Sequence, residues 1–224
     1  MATEYQQTPR TKIYRKPGRA SYDRDVVHSI LDEALICHIG FVQDGQPYVT
    51  PTIHARVGET IYLHGANGNR MFRALAAGVD CCLTVTLIDE LVLARAAMHH
   101  SMNYRSAMVF GTATEVSEPA EKERALRAVI EHVAPGRSEG VRGPDPAELR
   151  STRVLSLPIE EASAKVRTGP PVDDDEDLDL PNWAGRLPLS VSADEPIPAP
   201  GLAGDLPVPE HVSAWSRRRN GLRT

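Results

Sequence analysis

Little in this sequence points to a disulfide framework, a membrane or a nucleic acid. Its 224 residues include three cysteines, an odd number without C-x-x-C spacing, which excludes a disulfide scaffold and a zinc ribbon alike. Cys37, Cys81 and Cys82 sit in apolar, strand-like runs, as small buried hydrophobes do. Unpaired thiols of this kind fit a reducing compartment. No apolar run approaches the roughly 18 residues of a membrane span, and the polar, basic first twenty residues lack the apolar stretch of a secretory signal. A cytoplasmic protein with no membrane partner is the expectation. The formal net charge of −5 gives no sign of a nucleic-acid surface, which shows as a clustered basic excess. Internal repeats are absent, as are G-x-S-x-G, S-x-x-K, H-E-x-x-H and G-x-G-x-x-G. An enzyme built on this chain has no obvious side-chain engine, and a cofactor supplying the hard chemistry would account for that.

What is present is a succession of short periodic segments. SYDRDVVHSILDEA places Val26, Val27, Ile30, Leu31 and Ala34 on one helical face, with Asp23 and Asp25 in the first turn and Ser21 as cap. LICHIGFVQ, PYVTPTIHAR and TIYLHG then read as three strands, turning at Asp44-Gly45 and around Gly58. Separations this short force antiparallel hairpins. NRMFRALAAG reads as a two-turn helix between Asn69 and Gly78. VDCCLTVTLI and LVLARAA read as a hairpin across Asp89-Glu90, and NYRSAMVFGTATEV as one long strand that bends at its glycine. PAEKERALRAVIEHVA is a helix opened by proline, and STRVLSLPIEEASAKVR a last strand. Six or seven antiparallel strands with few helices favour a barrel, whose closure removes exposed edges. The organisation expected is a polar arm over 1–20, one domain over 21–192, and a Pro-rich, flexible tail over 193–224 pinned at Trp215. Trp183 and Leu187 precede the tail as a core anchor or a cover over the barrel.

The most informative stretch is TIYLHGANGNRMFRAL: a strand, a glycine loop, then a helix start carrying Arg70 and Arg73. Unpaired N–H groups at a helix start suit a phosphate. Gly65 and Gly68 allow close approach of backbone, Asn69 caps or donates, and Arg70 adds a charge-assisted contact. The same residues also fit an ordinary strand–helix connection with solvated arginines. His64 ends the strand beside this loop, as a structural histidine or as a group that hydrogen-bonds a substrate. His99 and His100 are adjacent on an extended chain and point opposite ways, a poor pair of metal ligands. The acidic run 173–177 reads as a solvated loop, so no metal is expected.

Taken together, YLHG followed by NR, then NYRSAMVFGTA, EHVAPGR and SAKVRTG resemble the pyridoxamine 5'-phosphate oxidase-related split-barrel flavoproteins, in the branch of the nitroimidazole-resistance-type proteins. The resemblance runs from about residue 11 to 189. It implies a mainly β fold with flanking helices: an antiparallel, six-stranded, Greek-key split β-barrel that binds FMN. It also implies a homodimer whose sites are built by both subunits. Carried onto this chain, the flavin phosphate falls to Thr50, Pro51, Thr52, Ile53, Leu63, His64, Asn69 and Arg70. The strand with Asn103, Tyr104, Arg105 and Ser106 corresponds to the one that meets the isoalloxazine ring, Ser106 standing at a polar flavin contact. Lys165 and Arg167 match basic positions near the barrel mouth.

Departures from the family pattern limit the reading. The Ser-Arg-Lys of the oxidases is Asn69-Arg70-Met71 here, one cation fewer, and their Trp-containing substrate-phosphate segment and Arg-Leu-Ala-Pro terminus have no counterpart. Pyridoxal-phosphate synthesis is therefore not expected. The leading expectation is an FMN-dependent oxidoreductase carrying electrons from a pyridine nucleotide to a small nitroaromatic or quinone acceptor, with His64 and Arg105 orienting substrate. The alternatives are a flavin or haem carrier without turnover, or a deazaflavin-dependent reductase on the same barrel.

Overall fold

The computed structural model describes residues 3–202, 204 and 206–215. The short edge strand β1 (Ala20–Ser21) leads into α1 (Arg24–Glu33), which buries Val27, Ile30 and Leu31. Its cap is Asp23, which accepts from the Val26 amide at 3.0 Å. Ser21, the expected cap, belongs to β1 instead. β2 (Cys37–Gln43) and β3 (Gln46–Thr52) then form a hairpin. Its turn residues Asp44 and Gly45 both take positive φ, 52° and 76°, the two-residue turn that matches strand twist.

Three runs that read as single strands are each two, for one shared reason: the chain steps from one sheet to another within them. β3 pairs with β2, whereas β4 (His54–Val57) pairs with β5 (Thr60–Ala66). Likewise β7 (Ser101–Thr112) lies in the larger sheet and β8 (Thr114–Glu115) in the smaller. The last run divides into β9 (Thr152–Pro158) and β10 (Glu161–Arg167). The converse correction applies at Asp89-Glu90. There is no hairpin there; β6 (Asp80–Leu93) is continuous along β7 and only shifts register between Ile88 and Glu90. Neither residue takes the positive φ a tight turn needs, and Arg105 holds the Asp89 side chain in the bulge.

The larger sheet runs β1-β10-β7-β6-β2-β3, with β11 (Gly185–Pro188) added beside β6; the smaller runs β4-β5-β9-β8. Every pairing is antiparallel. Their inner faces share one core of Ile39, Ile61, Leu63, Leu83, Val109, Leu155 and Leu157, sealed by Phe72 and Leu75 of α2 (Arg70–Ala76). Each such side chain, fully removed from water, contributes about 1.5–3 kcal/mol. This is the expected split barrel, with more and shorter strands than six.

α3 (Pro119–Val133) covers β4, and Glu118 caps it by accepting from Ala120 and Glu121. α4 (Pro146–Ser151), which periodicity over six residues does not reveal, is nucleated by a reciprocal capping box between Asp145 and Glu148. In α5 (Glu210–Ser213) and beyond, the tail returns to the domain: the Trp215 indole donates to the Val133 carbonyl at 2.7 Å. Residues 216–224 of the expected tail lie outside the described part. Trp183 is neither core anchor nor barrel cover. It is 69% exposed and lies over Gly185, where a Cβ would come within 2.8 Å of its ring. Among the described residues, no helix is long and apolar enough to cross a membrane.

Candidate functional site

The residues expected to form the site fall into two groups. The first surrounds the step from β3 to β4. Thr50 and Thr52 pair with Ile39 and Cys37, Pro51 with the exposed His38, and half-buried Ile53 spans the step. Pro51 is tolerated because β3 is an edge strand. Since His54 pairs with Leu63, the step lies beside the end of β5, and from there the glycine loop carries the chain to α2. Asn69 caps α2, its Oδ1 accepting from Met71 at 2.9 Å and Phe72 at 3.4 Å, which leaves the amide NH2 free of that duty. Exposed Arg70 places its guanidinium 5.1 Å from the centre of the Tyr48 ring on β3. This cation–π contact fixes the loop against the sheet, and sequence alone gives no hint of it.

Two members of this group have other duties. Leu63 is fully buried in the core and leads the strand to His64. Gly65 is required by packing: a Cβ there would lie 2.5 Å from the Phe72 ring. Gly68, by contrast, faces open space. His64 shares its strand face with Tyr62, whose hydroxyl donates to Glu121 of α3 at 3.0 Å. The His64 Nδ1 is buried with no hydrogen-bond partner among the described residues, and burial lowers the pKa of the ring, favouring the neutral imidazole.

The second group lies on β7 and β10. Ser106 pairs with Lys165 on one side and Thr86 on the other, and Tyr104 pairs with Arg167 and Ile88. The Ser106, Lys165, Thr86, Tyr104 and Ile88 side chains occupy the outer face of the larger sheet, whereas Arg167 is buried against Asn103. Arg105 is on the opposite face, and its guanidinium is spent: it donates to Asp89 at 2.8 and 3.0 Å and to Glu33 at 2.5 and 3.0 Å. Those carboxylates raise its pKa. Arg105 thus ties α1 to the β6 bulge. Asn103 is engaged in the same way. It is buried, with its amide donating to Glu90 and Gly169 and accepting from Arg167.

The structure separates the two groups within one chain. β3 and β10 lie four strand positions apart in the larger sheet, roughly 19 Å at the usual spacing of about 4.8 Å. Between them the outer face carries His38, Thr84 and Met108 in one row across β2, β6 and β7. Val42, Val49, Ile88 and Met108 are exposed on it. A cleft of about 500 Å³ opens beside the Ser106 strand between residues 33–36, 86–89 and 189–191. Its walls are mainly apolar (Ala34, Leu35, Ile36, Leu87, Leu189), with the Arg105-bound Glu33 and Asp89 among them.

Comparison with known proteins agrees with this architecture. The flavocytochrome Anf3 from Azotobacter vinelandii is 42% identical, with a TM-score of 0.86 over 92% of this chain and 96% of that one. A FAD- and haem-binding protein from Mycobacterium smegmatis is 34% identical, with a TM-score of 0.84 over 88% and 97% of the two chains. A candidate 5-nitroimidazole antibiotic resistance protein from Bacteroides thetaiotaomicron is 24% identical, with a TM-score of 0.57 over 66% and 86%, and shares the fold. No curated protein matches the chain. The family model described as pyridoxamine 5'-phosphate oxidase matches residues 23–166, and the chain belongs to that family.

Proposed function

We propose that this protein is a flavin-dependent redox protein that works as a dimer, each flavin lying between the loop group of one subunit and the sheet-face group of the other. The observation that carries the reading is the separation of the two groups across roughly 19 Å of one sheet. One chain offers a phosphate cradle without the ring contacts beside it. A second copy seated on the outer face brings them together. That face exposes Val42, Val49, Ile88 and Met108, apolar side chains that a second copy would cover.

In this reading Arg70, the Asn69 amide and the loop N–H groups hold the flavin phosphate. Ser106 and Lys165 face the ring system, and the cleft beside them excludes water from it. When bound, flavin supplies hydride and single-electron transfer between a pyridine nucleotide and a small acceptor. Neutral His64, with an unpartnered nitrogen, is suited to orient an acceptor by a hydrogen bond.

A second cofactor, haem, is favoured by the two relatives above 30% identity, one a flavocytochrome and the other a FAD- and haem-binding protein. The histidines accommodate it. Most of the described ones have partners: His28 with Tyr5, His54 with the Leu31 carbonyl, His99 with Asp174, His100 with the Ala96 carbonyl and His132 with the Ala34 carbonyl. His64 and His211 each keep a buried nitrogen without a partner among the described residues, and exposed His38 makes no hydrogen bond among them. Each can offer an imidazole nitrogen to iron. The visible spectrum of the purified protein tests both readings. Flavin bands near ~450 nm are expected, joined by a Soret band near ~400 nm if haem is held. A colourless protein that takes up neither cofactor refutes the proposal.

A further inference from the structure

Although the chain carries a net charge of −5, residues 5–22 contain five cations and no acid. One of the five is already paired: Arg10 donates to Glu161 at 2.8 and 3.0 Å and lies over the Phe110 ring. Thr8 donates to the same carboxylate at 2.9 Å. The Tyr22 hydroxyl donates to the Thr11 carbonyl and accepts from the Ile13 amide, each at 3.3 Å. These contacts anchor the arm over residues 8–13, and β1 anchors it again where Ala20 pairs with Lys165. Arg19 is half-buried at the turn into β1. Between the anchors the chain stands exposed. Lys12, Arg15 and Lys16 are exposed and form no ion pair among the described residues. Tyr14 is 72% exposed, with the Lys12 ammonium 5.2 Å from its ring centre. Lys16 takes a φ of 58° immediately before Pro17, a left-handed conformation rare for a residue with a side chain. The arm thus holds Lys12, Tyr14, Arg15 and Lys16 as a formed cationic projection.

We propose that this projection is the docking surface for a small, acidic one-electron carrier protein. The inference rests on the redox reading above and goes beyond it, adding a protein partner to the small molecules. The arm borders β10 from Glu161 to Lys165. A carrier seated on it therefore stands beside the sheet face that the reading gives to the flavin ring. Charge without much apolar area suits a brief encounter, because electron-transfer interfaces are small and are steered electrostatically. A nucleic acid is a poorer fit. Its hold grows with each phosphate neutralised, and the projection offers only Lys12, Arg15 and Lys16 on a chain of net negative charge. A compact partner with a local acidic patch meets the arm without that wider repulsion. Each reduced carrier gives up one electron and leaves oxidised. Two encounters and a proton from solvent supply the full reduction of one flavin.

Surface plasmon resonance of the full chain against an acidic iron–sulfur ferredoxin tests this, with Lys12→Glu, Arg15→Glu and Lys16→Glu combined in one variant. All three side chains are exposed, so the melting temperature should match that of wild type. At about 0.01 M salt, where charges act over roughly 30 Å, the variant should associate about tenfold or more slowly. At about 1 M salt that reach falls to roughly 3 Å, and the difference should vanish. Lys12→Arg with Lys16→Arg keeps both charges and should bind as wild type does. In flavin-loaded protein, oxidation of prereduced ferredoxin should slow in the same proportion, while reduction by dithionite stays unchanged. Equal association of variant and wild type at low salt would overturn the proposal. So would a wild type that ignores ferredoxin, including one that binds duplex DNA or anionic vesicles in its place. If the protein holds no flavin yet the variant still loses ferredoxin, the flavin reading fails and the docking surface stands.

Discussion

The Arg70 guanidinium rests 5.1 Å from the centre of the Tyr48 ring, joining the start of α2 to the edge strand of the larger sheet. This one contact relates the two features that sequence could identify only separately, a glycine loop before a helix and a strand that ends at Ile53. It holds the cation in place before any ligand arrives, so little side-chain entropy remains to be lost on binding.

Arg70→Ala should therefore weaken FMN by roughly 1.5–3 kcal/mol, the range for a charge-assisted hydrogen bond. Riboflavin, which lacks the phosphate, should bind both proteins alike. Flavin fluorescence titration measures the difference, and equal FMN affinities would remove Arg70 from the site.

Arg105 should behave differently. Its removal leaves Glu33 and Asp89, with side chains 11% and 24% exposed, facing each other without a cation. Because the guanidinium itself is 23% exposed, the full cost of a buried broken pair is reduced by solvent. Arg105→Met should cost about 2–4 kcal/mol of stability, read as a shift in the urea midpoint. Flavin affinity per folded molecule should change little. A stable variant that has lost flavin would return Arg105 to the binding machinery.

These two arginines show how far the sequence could be read. Both stand in motifs that match the family, and both carry a charge suited to a phosphate or an acceptor. Arg70 opens a helix, whereas Arg105 alternates with Ser106 to the inner face of a strand, where two acids from distant segments enclose it. Those acids are 72 and 16 residues away, beyond any local pattern. The barrel itself was legible because alternation and turn chemistry are local. The points where β3, β7 and β9 hand the chain to the other sheet were not, since a strand that changes partners keeps the same period of two. Gly65 illustrates the same limit. Its sequence context suggests ligand approach, while Phe72, seven residues later, is what demands it.

His64 supplies a pH signature. Burial lowers its folded-state pKa below the ordinary value near ~6.5, so the unfolded chain binds the proton more readily than the folded one. Stability owed to neutral His64 is thus complete above about pH 6.5 and is lost as pH falls from there toward the lowered folded value. His64→Gln should flatten that part of the curve of melting temperature against pH. An unchanged slope would show that the ring titrates freely in the folded protein.

The central claim is that two chains build each flavin pocket, and subunit mixing tests it most directly. Arg70→Ala disables the loop group and Lys165→Ala the sheet-face group, and each homodimer should hold flavin poorly. After exchange of subunits, a mixed dimer contains one pocket with both defects and one with neither. Flavin binding should reappear in the mixture at about one intact site per heterodimer. If the mixture binds no more flavin than the average of the two parents, each site lies within a single chain and the shared pocket is contradicted.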